Sequence, residues 1–133
     1  MDSIVLDSSA VLAAILKEPG GERVDALLDA LELGKRVRVA ISSVNWCEIL
    51  TRLYRDNRGM NARDLDALLA GTEFVPFGRN EAELAAGYAR AYPSLSLGDR
   101  ACLALASTRK ATAWTTDKIW ARQDVGVPLE ILR

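Results

Sequence analysis

The chain contains no histidine among its 133 residues. That absence removes Ser-His-Asp and Cys-His nucleophilic catalysis, histidine general bases, and most zinc or copper sites. Cysteine is scarce. Cys47 and Cys102 make no disulfide framework and belong to no Cys-x-x-Cys pair. Their apolar neighbours predict buried free thiols rather than redox groups. No apolar run approaches the ~20 residues of a membrane span. The stretch Met1 to Asp7 lacks the basic start and long apolar segment of a signal peptide, so a cytoplasmic protein is expected. Net charge is nearly absent as well, at −1, so the strongly basic balance of many nucleic-acid binders is missing. Basic residues do outnumber acidic ones within 84–133, and the reverse holds within 1–83.

What remains as reactive equipment is carboxylates, hydroxyls, lysine and arginine. Carboxylates favour hard, oxygen-preferring cations, meaning Mg2+ or Mn2+. Half of the residues are hydrophobic, which suits one core-forming domain over 1–133 and does not suit a disordered segment.

The apolar pattern alternates strands with helices. Ile4 to Leu6 is a short continuous run closed by Asp7, as in a buried parallel strand. Ser8 or Ser9 is expected to cap a first helix, and Pro19-Gly20-Gly21 ends it. Val24, Leu27, Leu28 and Leu31 mark a second helix that stops at Gly34. Val37 to Ile41 is a second strand, followed by a helix capped at Ser42-Ser43 with Val44, Cys47, Leu50, Leu53 and Tyr54 on its apolar side. Asn61 with Asp64 opens a fourth helix, and Phe74 to Phe77 is a strand that Pro76 closes. Asn80 with Glu83 is a capping-box-like start to a fifth helix. Ser96 to Asp99 leads into a sixth helix reaching about Arg109, dense in small apolar residues. Ala113 to Thr115 and Leu129 to Leu132 are the last strands. Such alternation means an α/β domain with a mostly parallel sheet and right-handed crossovers.

Ligands of open α/β sheets bind outside the carboxyl ends of the strands. Asp7 and Asp117 fall at predicted strand ends. Glu48 and Asp99 lie early in helices that such a sheet aims at the same edge. Each acid alone has a plain structural use: Asp99 complements a helix dipole, Asp117 suits a turn, and Glu48 can pair with Asn45 as a capping box. Asp7 is harder to explain that way, because an acid closing a buried central strand lacks solvent unless the site is wet. Four carboxylates in one pocket repel unless a divalent cation neutralises them. A cation held there can activate water and clamp a phosphate in line for displacement.

Four stretches carry a family resemblance: Ile-Val-Leu-Asp-Ser-Ser-Ala at 4–10, Ser-Ser-Val-Asn-Trp-Cys-Glu-Ile-Leu at 42–50, Leu-Ser-Leu-Gly-Asp-Arg-Ala-Cys-Leu-Ala-Leu-Ala at 95–106, and Thr-Thr-Asp-Lys-Ile-Trp at 115–120. In this order they resemble the PIN-domain nucleases, and within them the VapC-type ribonuclease toxins of bacterial VapBC toxin–antitoxin systems. The resemblance implies a PIN-like three-layer fold, a parallel five-stranded sheet flanked by helices. It implies that Asp7, Glu48, Asp99 and Asp117 form an acidic quartet binding Mg2+ or Mn2+, with Asp7 and Asp99 most often direct ligands. Ser9 and Thr115 match small polar residues beside that quartet. The activity implied is endonucleolytic RNA cleavage by metal-activated water, leaving a 5′-phosphate. The partners implied are an RNA substrate, a VapB-type antitoxin that plugs the site, and a second copy of the chain as a homodimer within a toxin–antitoxin hetero-oligomer.

Arg100 and Lys118 each follow a quartet acid directly. They are candidates for holding the scissile phosphate, or equally for solvated counter-charges. Trp46, Trp114 and Trp120 read as core or interface residues, with Trp46 best placed for a partner contact. An aspartyl-phosphate phosphohydrolase would place a second acid two residues after the first, where Ser9 stands instead. A non-enzymatic PIN scaffold would not be expected to keep all four acids.

Overall fold

The computed structural model describes residues 1–133. Five strands, β1 (Asp2–Leu6), β2 (Val37–Ser42), β3 (Glu73–Val75), β4 (Thr112–Thr115) and β5 (Leu129–Ile131), alternate with six helices. The helices are α1 (Ser8–Ile15), α2 (Gly21–Glu32), α3 (Ser43–Arg55), α4 (Ala62–Leu68), α5 (Arg79–Ala91) and α6 (Leu97–Arg109). A 3-10 helix over Lys118–Arg122, not anticipated from the sequence, follows β4. The sheet order is β3-β2-β1-β4-β5, and every neighbouring pair is parallel. β1 is therefore central, which is why its run of apolar residues is unbroken.

Strand periodicity divides the core into two layers. Ile4, Leu6, Val39 and Ile41 face α1 to α4, where Val11, Val24, Leu28, Ile49, Leu53 and Leu65 pack. Val5, Ala40 and Ala113 face the other way, against Cys102, Leu103, Leu105 and Ala106 of α6 and against Trp120. α6 is buried from Ala101 through Ala106, because α5 lies on its outer side. Its small residues let it sit between two neighbours. No helix is long and apolar enough to cross a membrane.

Three local expectations are corrected. The N-cap of α1 is Asp7, in extended conformation, and neither Ser8 nor Ser9 caps it; both hydroxyls are drawn to carboxylates instead. α5 starts at Arg79 behind Gly78 with no side-chain cap, so Asn80 and Glu83 form no capping box. The buried face of α3 is Asn45, Ile49 and Leu53. That rotation leaves Cys47 exposed and Tyr54 55% exposed. Cys102 is buried as expected.

Candidate active site

Only four polar or charged side chains in the molecule are buried: Asp7, Ser42, Asn45 and Thr115. Three of them meet at one point. Asp7 directly follows β1 and Thr115 ends β4, the strands between which the chain reverses its direction of travel across the sheet. That topological switch point is where open parallel sheets leave a crevice for ligands.

Asp7 is held on both sides. Ser9 Oγ and Thr115 Oγ1 donate to its Oδ2 at 2.7 and 2.9 Å, and Asn45 Nδ2 approaches Oδ1 at 3.5 Å. Burial nevertheless dominates and pushes its carboxyl up to about 7, with Asp99 and Glu48 adding repulsion against the two hydroxyl bonds. Glu48, in the second turn of α3, accepts from Ser8 Oγ at 2.9 Å and from Asn45 Nδ2 at 3.0 Å through the same oxygen. Asn45 also donates to the Gly98 carbonyl at 3.1 Å, tying α3 to the start of α6. A Cβ at Gly98 would overlap the Glu48 carboxylate, so glycine is what lets Glu48 keep this position.

Asp99 is the third residue of α6. It forms a capping box with Ser96, exchanging bonds of 3.0 and 3.1 Å. Burial raises its pKa, the Ser96 bonds oppose that, and Asp117 and Glu48 raise it further. Asp117 caps the 3-10 helix by accepting from Ile119 N at 2.9 Å, while its own N–H donates to Thr115 Oγ1 at 3.1 Å. The plain uses foreseen for Asp99 and Asp117 are thus real and coexist with their place in the cluster. The Asn45–Glu48 capping box does not form, because Ser42 caps α3.

The four acids are coupled through space, yet no three of them form a ready-made cage for a metal ion. Like charges with no counter-charge between them settle apart. None of the five ion pairs in the structure involves any of the four.

Residues 4–126 match the family model described as PIN domain. The chain belongs to the PIN-domain family. Among solved structures, this PIN domain is similar to a toxin–antitoxin complex from Klebsiella pneumoniae, with TM-score 0.73, 14% identity and 98% of each chain covered. It is similar to VapBC2 from Rickettsia felis bound to a DNA fragment from their promoter, with TM-score 0.71, 21% identity, and 96% and 97% covered. It is also similar to DNA-bound VapBC from Salmonella typhimurium, with TM-score 0.65, 18% identity and 98% of each chain covered. At such identities the likeness is one of fold. Among curated proteins none matches the chain by sequence.

The donor set of this PIN domain fits a hard divalent cation. Every group is an oxygen, no lysine or arginine neutralises the acids, and the buried Asn45 Oδ1 has no hydrogen-bond partner. Arg100 is turned away from the cluster: its Nη1 donates to the Ala85 carbonyl of α5 at 3.0 Å. Lys118 is exposed at the start of the 3-10 helix. Trp46 packs edge-on against Phe74 with centroids 5.5 Å apart. The largest cavity, about 740 Å3, lies elsewhere, over Leu84, Tyr88 and Tyr92, and contains none of the quartet. Sequence reasoning passed over Ser8, Asn45 and Gly98 as site residues. The available signal for Asn45 was its place three residues before Glu48, on the same helical face.

Proposed function

We propose that this PIN domain is a Mg2+- or Mn2+-dependent endoribonuclease of VapC type, the toxin of a VapBC pair. In this reading residues 1–133 act as one domain in the cytoplasm, restrained by a VapB-type antitoxin and paired as a homodimer. The observation that carries it is the quartet itself: four carboxylates at the switch point, one fully buried, with no protein cation among them. Structures burying such charge without a partner need a strong reason, and a bound cation supplies one.

Asp7, Glu48, Asp99 and Asp117 would hold the cation. Bound there, it supplies an activated water and neutralises charge on the phosphodiester. The rest is the work of the chain. Ser9 and Thr115 lock the Asp7 carboxylate in one orientation. Ser8 and Asn45 take up Glu48 Oε1, which leaves Oε2 the free lone-pair site against Gly98. The capping box fixes Asp99 on a rigid helix start. The half-exposed Phe74 beside Trp46 and the exposed Tyr54 support a protein partner on that side of α3.

Expression of wild type and Asp99→Asn in cells, followed by sequencing of RNA 5′ ends, tests the reading. Asparagine keeps an oxygen for the Ser96 N–H, so the cap survives. New 5′-phosphate ends with wild type alone are expected. Folded wild type that makes no new ends and no growth defect would instead mark a PIN scaffold used only for binding.

A further inference from the structure

A cleft of about 610 Å3 opens beside Glu48, between α3 and the start of α6. Glu48 and Gly98 form its inner end, and along α3 its wall carries Cys47, Thr51, Arg52 and Arg55. Residues 48, 52 and 55 share one face of a helix, so the arginines stand one and two turns from the carboxylate. Charge therefore reverses along the cleft, from anionic at the quartet to cationic beyond it. Arg52 and Arg55 are the only cations in its lining.

Both arginines are available. Arg55 is exposed and enters none of the ion pairs. Arg52 spends only Nε, on Asp56 at 2.7 Å, and remains about half exposed. An exposed i,i+4 pair of this kind holds weakly and leaves the terminal nitrogens free. A guanidinium fork matches phosphate oxygens in geometry as well as charge. A chain with net charge −1 cannot attract RNA by its overall field, so attraction has to be local.

We propose that this cleft is the track for the ribose–phosphate backbone of single-stranded RNA beside the scissile bond, with Arg52 and Arg55 each binding a flanking phosphate. The inference rests on the ribonuclease reading. RNA is favoured over an acidic protein segment because the track ends at Glu48, one of the four acids beside which the phosphodiester must lie.

The test is fluorescence anisotropy with a labelled pool of short, mixed-sequence single-stranded RNA, using Ca2+ in place of Mg2+ and a series of salt concentrations. Arg55→Ala should weaken binding about fivefold and Arg52→Ala/Arg55→Ala about twentyfold, each arginine lowering the log–log salt slope by about 0.7. Arg55→Lys should keep the slope, and Arg63→Ala on α4 should match wild type. The exposed Cys47 thiol gives a second readout: bound RNA should slow its alkylation, while buried Cys102 stays silent. Unchanged affinity and slope in the folded double variant overturn the track, as does an equal loss in Arg63→Ala. RNA binding unmoved while polyglutamate binds wild type alone would assign the cleft to an acidic protein segment and overturn the track. Wild type that neither binds nor cleaves RNA removes the ribonuclease reading and the track with it, whereas wild-type cleavage with no arginine effect removes only the track.

Discussion

Asp7 concentrates the conflict in this molecule. The residue is 3% exposed, and its carboxyl is pushed up to about 7 by burial and by neighbouring acids. The ordinary value is 3.8, so holding it ionised costs roughly 4 kcal/mol at about 1.4 kcal/mol per unit. Asp7→Asn should therefore abolish RNA cleavage and yet raise the melting temperature of the metal-free protein at alkaline pH. Scanning fluorimetry beside a cleavage assay checks both halves, and a variant that melts lower would show the charge is already compensated. Gly98 makes the complementary point by exclusion. Gly98→Ala should displace Glu48 and lower cleavage at least about tenfold, an amount worth ~1.4 kcal/mol of transition-state stabilisation, with little change in fold. Single-turnover rates and a circular dichroism spectrum separate the two effects.

At the scale of an element, α6 does two jobs with the same atoms. Its start is stabilised by Ser96 and Asp99, and that same capping box aims Asp99 into the cluster. Ser96→Ala removes the acceptor for the Asp99 N–H and should cost about 1 kcal/mol, or about 4 °C in melting temperature for a chain of this size. A urea titration measures the loss, and the cleavage rate should fall with it because Asp99 is no longer held. α3 shows the limit of reading one helix by itself. The stripe through Val44, Cys47, Leu50, Leu53 and Tyr54 has the right period for a buried face, but of these only Leu53 is on the face chosen, with Asn45 and Ile49. The rotation brings an amide to the two carboxylates, a gain no local pattern reports.

For the whole molecule, the raised acids set how stability varies with pH. A carboxyl whose folded pKa lies above its unfolded value contributes fully at pH below the unfolded value. The contribution is lost as pH rises toward the folded value, here from about 4 to about 7 for Asp7. Asp99 is shifted in the same direction. Glu73 is shifted the other way by Arg109 and acts only on the acid side of its ordinary range. Metal-free protein should therefore melt lower at about pH 8 than at about pH 5.5. Millimolar Mg2+ or Mn2+ should raise the melting temperature by mass action, most strongly at the alkaline end where Asp7 is ionised. A melting curve indifferent to both pH and cation would count against a formed site.

Alternating periodicity, an unbroken apolar run at 4–6 and helix-start signals at Asn61 and Ser96 were enough to read a parallel α/β fold from the chain alone. The acids could be nominated the same way, because each stands at the end of a strand or in the early turns of a helix, where a parallel sheet leaves its crevice. Partnership was not legible, and burial only in part, as at Asp7 and Cys102. The sequence cannot say that Asn45 rather than Cys47 faces inward, that Arg100 reaches back to Ala85, or that Gly98 makes room for Glu48. Local pattern reports a residue's own propensity, whereas these outcomes depend on atoms brought from 15 or more positions away by the tertiary fold. The sequence could point to a buried Asp7 at the end of a central strand, but only the tertiary structure brings Thr115 and Asn45 to its carboxylate, because those residues reach it from other elements of the fold.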